Sequence, residues 1–114
     1  MAGEVNQNSF QRGVMSLVVL SLLKKQDMYG YELVQQINSV SGGRIVTQEG
    51  SLYPVLYKLS DQGFISEKRV LVGKRMTRVY YHLEPLGRER QAALLEEYTQ
   101  LHIGMSQILK EGEV

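Results

Sequence analysis

The sequence contains no cysteine, so it can form neither a disulfide nor a thiolate zinc site. That composition fits a reducing cytoplasm. It has only two prolines, Pro54 and Pro85, in 114 residues, and each sits where a helix is expected. Long apolar runs are missing too. The longest, Val14 to Leu23, is interrupted by Ser16 and Ser21 and falls far short of the ~20 residues a membrane span needs. The opening MAGEVNQNSF lacks the basic start and apolar centre of a signal peptide. No single charge sign dominates, because the formal net charge is only +1. These absences leave one modest soluble domain with no membrane partner.

The distribution of charge says more than its sum. From Phe64 to His82 the chain carries Lys68, Arg69, Lys74, Arg75 and Arg78 against the single acid Glu67. From Glu84 onward, six acids face three bases. A basic middle joined to an acidic tail suggests a localised anion-binding face.

Residues 1–9 are polar and are expected to be a flexible N-terminus. A first helix is predicted from about Phe10 to Lys25, apolar on nearly every face, including Val14, Leu17 and Val18. Such a helix must be covered all round, which favours one face in the core and one against a second subunit. Asp27 is a plausible N-cap for a second helix, Tyr29 to Val40, with Tyr31, Leu33, Val34 and Ile37 as apolar contacts. Gly42 or Gly43 would end it in a left-handed cap. Thr47 is the natural N-cap of a third helix with Glu49 in its first turn, ending near Gln62 before Gly63. Leu52, Val55, Leu56 and Leu59 form its apolar stripe, while Gly50 and Pro54 both weaken a helix interior.

Two strands follow, Ile65 to Val72 and Thr77 to Leu83, making a hairpin tipped by Lys74 and Arg75. The last helix should start at Pro85 and run to about Lys110. Leu94, Tyr98, Leu101, Met105 and Ile108 recur at spacings of 4, 3, 4 and 3, close to a coiled-coil seam. About 25 residues span roughly 37 Å, longer than a domain this size can cover, so a dimerisation helix is expected over 84–114.

Helix, helix, helix, basic hairpin, long helix is the order of a winged helix-turn-helix, over residues 10–83, followed by a dimerising helix. The expected fold class is therefore mainly α with a two-stranded β wing. A helix of ~10–12 Å diameter fills a DNA major groove, and a hairpin beside it can put cations on flanking phosphates. A two-fold dimer would present two such units about 34–36 Å apart.

The stretches YGYEL, EGSLYPVLYKLSDQGFI and GKRMTRVYYHLEPLGR resemble the PadR-type transcriptional regulators, most closely the small single-domain subgroup. The resemblance implies a winged helix dimerising through its first and last helices. It also implies a homodimer on a pseudo-palindromic operator in double-stranded DNA, usually as a repressor and often answering a small aromatic or hydrophobic ligand. It places Ser51, Tyr53 and Pro54 at the groove, Lys74, Arg75 and Arg78 in the basic wing, and Tyr29 and Tyr31 near a phosphate or the core. Ser60 stands where the family often has Glu, and Glu84 where Thr or Ser commonly caps the last helix. Some members stack flat ligands on a tryptophan, and this chain has none.

The expected DNA-binding set is Thr47, Gly50, Ser51, Tyr53, Pro54, Tyr57 and Lys58, with Lys74, Arg75 and Arg78. Lys68 and Arg69 are weaker candidates, since the two faces of a strand cannot both see the DNA. The dimer set is Val14, Leu17, Val18, Leu94, Tyr98, Leu101, Met105 and Ile108; Tyr98 and Met105 could line a ligand cavity, against plain dimer packing. His82 and His102 lie far apart without a paired carboxylate, so neither a metal nor a catalytic role is expected. Ser41–Gly43 lacks the spacing and lysine of a phosphate loop. No enzyme activity and no cofactor are expected. Two other readings stay open: a winged-helix protein–protein adaptor that never touches DNA, and a protein that is primarily a small-molecule sensor.

Overall fold

A computed structural model describes residues 14–112; the expectation for residues 1–9 and the first turn of the opening helix lie outside them. Residues 14–23 form α1, after which the chain turns through 24–26. Then come β1 (Met28–Tyr29), α2 (Gly30–Val40), α3 (Glu49–Asp61), β2 (Ile65–Val72), β3 (Met76–Leu83) and α4 (Pro85–Gly112). The helix and hairpin order matches the expectation, with shifts of one or two residues at several ends.

β1 is the element that was not expected. Its two residues pair antiparallel with Tyr80 and Tyr81, so the wing is a three-stranded sheet of order β1-β3-β2 rather than a free hairpin. The consequence is mechanical: the wing is tied to the start of α2 by backbone hydrogen bonds.

Two caps also differ. Tyr29, not Asp27, precedes α2, and its N–H donates to the Glu32 carboxylate at 3.3 Å. Asp27 instead meets Nδ1 of His82 at 2.8 Å, so His82 does have a carboxylate neighbour. Both side chains are substantially solvent-exposed, and a pair of this kind adds little stability. For α3 the cap position is Gln48, not Thr47, and no side chain closes it. The C-termini follow expectation closely. Gly42 and Gly63 take positive φ, with paired bonds Gly43 N–H to Asn38 O and Phe64 N–H to Leu59 O closing the last turns.

The core joins every element. Met15, Val19, Leu20, Leu22 and Leu23 of α1 meet Met28, Leu33, Ile37, Leu52, Leu56, Leu59, Ile65, Tyr81 and Leu83. Tyr31, expected as a core contact of α2, is instead half-exposed. α4 is anchored only at its root. Gly87 is buried so close to the preceding loop that a Cβ there would fall 2.0 Å from the Phe64 carbonyl oxygen. One turn later, buried Gln91 donates from Nε2 to Ser21 Oγ of α1 at 3.1 Å. Beyond Leu94 the helix leaves the body. The radius of gyration is 16.2 Å, against about 13 Å for a compact chain of this length.

Candidate nucleic-acid interface

α3 divides its residues cleanly between two environments. Leu52, Leu56 and Leu59 are buried, whereas Gly50, Ser51, Pro54, Tyr57 and Lys58 are exposed. Apart from its chain neighbours and the backbone of α3 itself, nothing lies within 4 Å of where a Gly50 Cβ would stand, so packing does not demand glycine there. What the position gains is a bare backbone in the first turn, where the helix dipole favours an anion. Pro54 leaves only the carbonyl of Gly50 without its usual partner, close to the helix end rather than in mid-ladder.

Tyr53 is turned partly inward, unlike its neighbours in the expected DNA-facing set. Its hydroxyl donates to Glu49 Oε2 at 3.1 Å, and its ring stacks on Tyr57 with centroids 5.9 Å apart. It also reaches α2. A Cβ on Gly30 would come within 2.9 Å of the Tyr53 oxygen, so the glycine of YGYEL makes room for that ring. Burial and the Glu49 carboxylate both raise the Tyr53 pKa, keeping the phenol neutral and donating. Tyr81, deeper in the same region, is pushed up to about 12, first by burial and then by Glu67.

Across from α3 stands the wing. The register sets Glu67 opposite Tyr81, Arg69 opposite Val79 and Leu71 opposite Thr77, and these pairs share the face that begins with buried Ile65 and Leu83. An open cleft of about 550 Å³ lies between this face and α3, bordered by Glu49, Tyr53 and Tyr57 on one side and Glu67, Arg69 and Thr77 on the other; Arg78, on the opposite strand face, reaches its edge across Tyr29. Arg69 therefore borders the cleft, while Lys68 lies on the opposite strand face. The strand alternation separates the two in the sequence, but only the pairing register says which one turns toward α3. Arg78 is held over the ring of Tyr29 at 4.4 Å, and Tyr29 packs edge-on against Tyr80 at 5.3 Å. Cation–π contact fixes this guanidinium at the mouth of the cleft. Lys74 and Arg75 are exposed at the hairpin tip, next to Gly73 with φ 71°.

The expected dimer residues fall in two groups. Val14, Leu17 and Val18 are half-buried on α1, and Leu17 and Val18 border an apolar groove of about 290 Å³ between α1 and α2. On α4, Leu94 touches the core, but Tyr98, Leu101, Met105 and Ile108 are all exposed. His102 stacks on Tyr98 at 6.1 Å in this seam. Among the described residues, no three His, Cys, Asp or Glu side chains are grouped to hold a metal, and no helix is long and apolar enough to cross a membrane.

Residues 19–93 match the transcriptional regulator PadR-like family. The chain belongs to that family. The family is one of transcriptional regulators, and the chain carries its winged-helix fold. The Escherichia coli transcriptional regulator YqjI is 33% identical over 73 residues, covering 64% of this chain but only 35% of that protein. Bacillus subtilis PadR, a negative transcriptional regulator, is 28% identical over 76 residues, covering 67% of this chain and 42% of its own length. The present chain thus corresponds to less than half of either relative. The structure of B. subtilis PadR in complex with operator DNA superposes with a TM-score of 0.68 at 27% identity, over 72% of this chain and 46% of that one. A transcriptional regulator from Clostridium thermocellum matches more of its length, with a TM-score of 0.77 at 28% identity over 84% of this chain and 90% of that chain.

Proposed function

We propose that this PadR-like regulator binds a pseudo-palindromic operator as a homodimer and acts as a repressor in the cytoplasm. The supporting observation is that α3 and the wing share one cleft, lined by Tyr53, Tyr57, Arg69 and Arg78 together with the acids Glu49 and Glu67, and that β1 braces the wing against α2. In this reading α3 enters the major groove and offers Gly50, Ser51, Pro54, Tyr57 and Lys58. Thr47 and the partly inward Tyr53 flank them, and Lys74, Arg75 and Arg78 take backbone phosphates. The name of B. subtilis PadR as a negative regulator, and its complex with operator DNA, support repression and operator binding here.

Dimerisation rests on α4. Leu101 and Ile108 are 60% and 65% exposed, on a seam running about 21 Å from residue 94 to residue 108. Water-exposed leucine and isoleucine on one helical line are costly, and a second copy of the same line covers them. Val14, Leu17 and Val18 extend that surface onto α1. A small hydrophobic or aromatic effector fits the same frame, since the α1–α2 groove is apolar and adjoins those residues.

Selection of bound duplexes from a random pool tests the proposal. Recovery of a two-fold-related pair of half-sites, bound with an affinity that falls steeply with salt, is the expected result. Recovery of no consensus, or an affinity indifferent to salt, would remove DNA as the partner and leave the protein-adaptor reading.

A further inference from the structure

The cleft between α3 and the sheet has a lining that DNA contact does not explain. Its volume of about 550 Å³ falls within the range of small-molecule sites. Tyr53 and Tyr57 line it from α3, Tyr31 from the start of α2, and buried Tyr81 from the sheet. Tyr53 and Tyr57 stack with their planes 21° apart, which uses one face of each ring. Tyr57 is still 56% exposed, and Tyr31 is 51% exposed. Two carboxylates share the space. Glu49 receives the Tyr53 hydroxyl on one oxygen, and Glu67 stands opposite Tyr81 in the strand register. Neither forms an ion pair among the described residues. A phosphate backbone would be repelled by both.

Phenol rings beside unpaired carboxylates favour one class of ligand. The face of a tyrosine ring is electron-rich and attracts an ammonium or guanidinium ion. Such a contact already exists at the edge of the cleft, where the Arg78 guanidinium lies 4.4 Å from the Tyr29 ring centroid. An anion would find Arg69 in the lining but would also meet Glu49 and Glu67. A neutral ligand would leave both carboxylates without a counter-charge. We propose that this cleft binds a small organic ammonium ion, held by the carboxylates of Glu49 and Glu67 and by the rings of Tyr31 and Tyr57, and that its occupancy excludes DNA. The site is distinct from the apolar groove between α1 and α2. Its walls are the two elements assigned above to the operator, so an occupant and a duplex claim the same space. That competition rests on the DNA-binding reading; the cation site does not.

The first test uses the full chain without DNA. The probes are phenyltrimethylammonium, a permanent cation, and tert-butylbenzene, its uncharged isostere, with both affinities read by saturation-transfer NMR. The expected result is binding of the cation about tenfold tighter than the isostere. Glu49→Gln with Glu67→Gln should remove most of that preference. Glu96→Gln with Glu97→Gln removes the same charge from α4 and should leave it unchanged, with thermal midpoints verifying that both variants fold. Equal binding of the two probes would overturn the proposal. So would a preference that survives the first double variant or falls as far in the second. A duplex recovered by random-pool selection then reads the competition. Phenyltrimethylammonium should weaken wild-type binding more than sodium does at the same concentration, and no more than sodium in the Glu49/Glu67 variant. Equal weakening of both proteins would make the probe an ordinary salt and overturn the exclusion of DNA. Failure of the wild-type protein to bind any duplex instead strikes the DNA reading, while the NMR comparison still decides the cation site.

Discussion

α3 and α4 carry nearly the same apolar rhythm, yet the fold treats them oppositely. Leu52, Leu56 and Leu59 in α3 are completely enclosed by α1, α2 and the sheet. Tyr98, Leu101, Met105 and Ile108 in α4 lie on one line in water. The difference lies in length and anchoring rather than in the pattern. α3 is 13 residues long and crosses a body large enough to cover it. α4 has 28 residues, about 42 Å, and only its first turns find anything to touch. A helical stripe thus encodes a demand for burial without saying which molecule meets it. In α3 the chain meets its own demand; in α4 it leaves the demand unmet, as the proposed dimer requires.

Substitutions in the two stripes should separate accordingly. Leu56→Ala removes a side chain with no solvent exposure and should cost about 2–5 kcal/mol by urea denaturation, independent of protein concentration. Leu101→Glu with Ile108→Glu should leave the folded body intact, with unchanged far-ultraviolet dichroism, while converting the proposed dimer to a monomer in sedimentation. The concentration dependence of the melting temperature should vanish with it. A variant that stays dimeric would move the interface off this seam. The smallest effect sharpens the picture of α3. The Ser60 hydroxyl is buried without a hydrogen-bond partner, so Ser60→Ala should be neutral or stabilise by up to about 1 kcal/mol. A loss of more than that would mean the hydroxyl has a partner the structure does not record.

The sequence exposed the large elements because their signals are long. Eight-residue strands, a 28-residue helix and paired glycines after α2 each repeat a period or a cap over enough residues to be read. β1 escaped because two residues carry no alternation; it exists only through pairing with Tyr80 and Tyr81, some 50 positions away. Asp27 looked like a helix cap for the same reason, since its actual partner, His82, is remote in the chain. At the site, the basic wing was legible from charge alone. The inward turn of Tyr53 was not, because it depends on the gap that Gly30 leaves on another helix. Nor was the choice between Lys68 and Arg69, which the pairing of Ile65 with Leu83 decides.

The tight seat of α4 at Gly87 has a further consequence for how two reading heads could be spaced. With its root wedged against the Phe64 carbonyl and bolted to α1 through Gln91, the helix behaves as a lever with its fulcrum in the body and its handle in the seam. Over a length of about 42 Å, a tilt of only about 5° at one end displaces the other by about 4 Å. Half-sites one helical turn apart tolerate little of that. In the dimer proposed above, whatever grips the handle sets the reach of the heads without touching α3 or the wing.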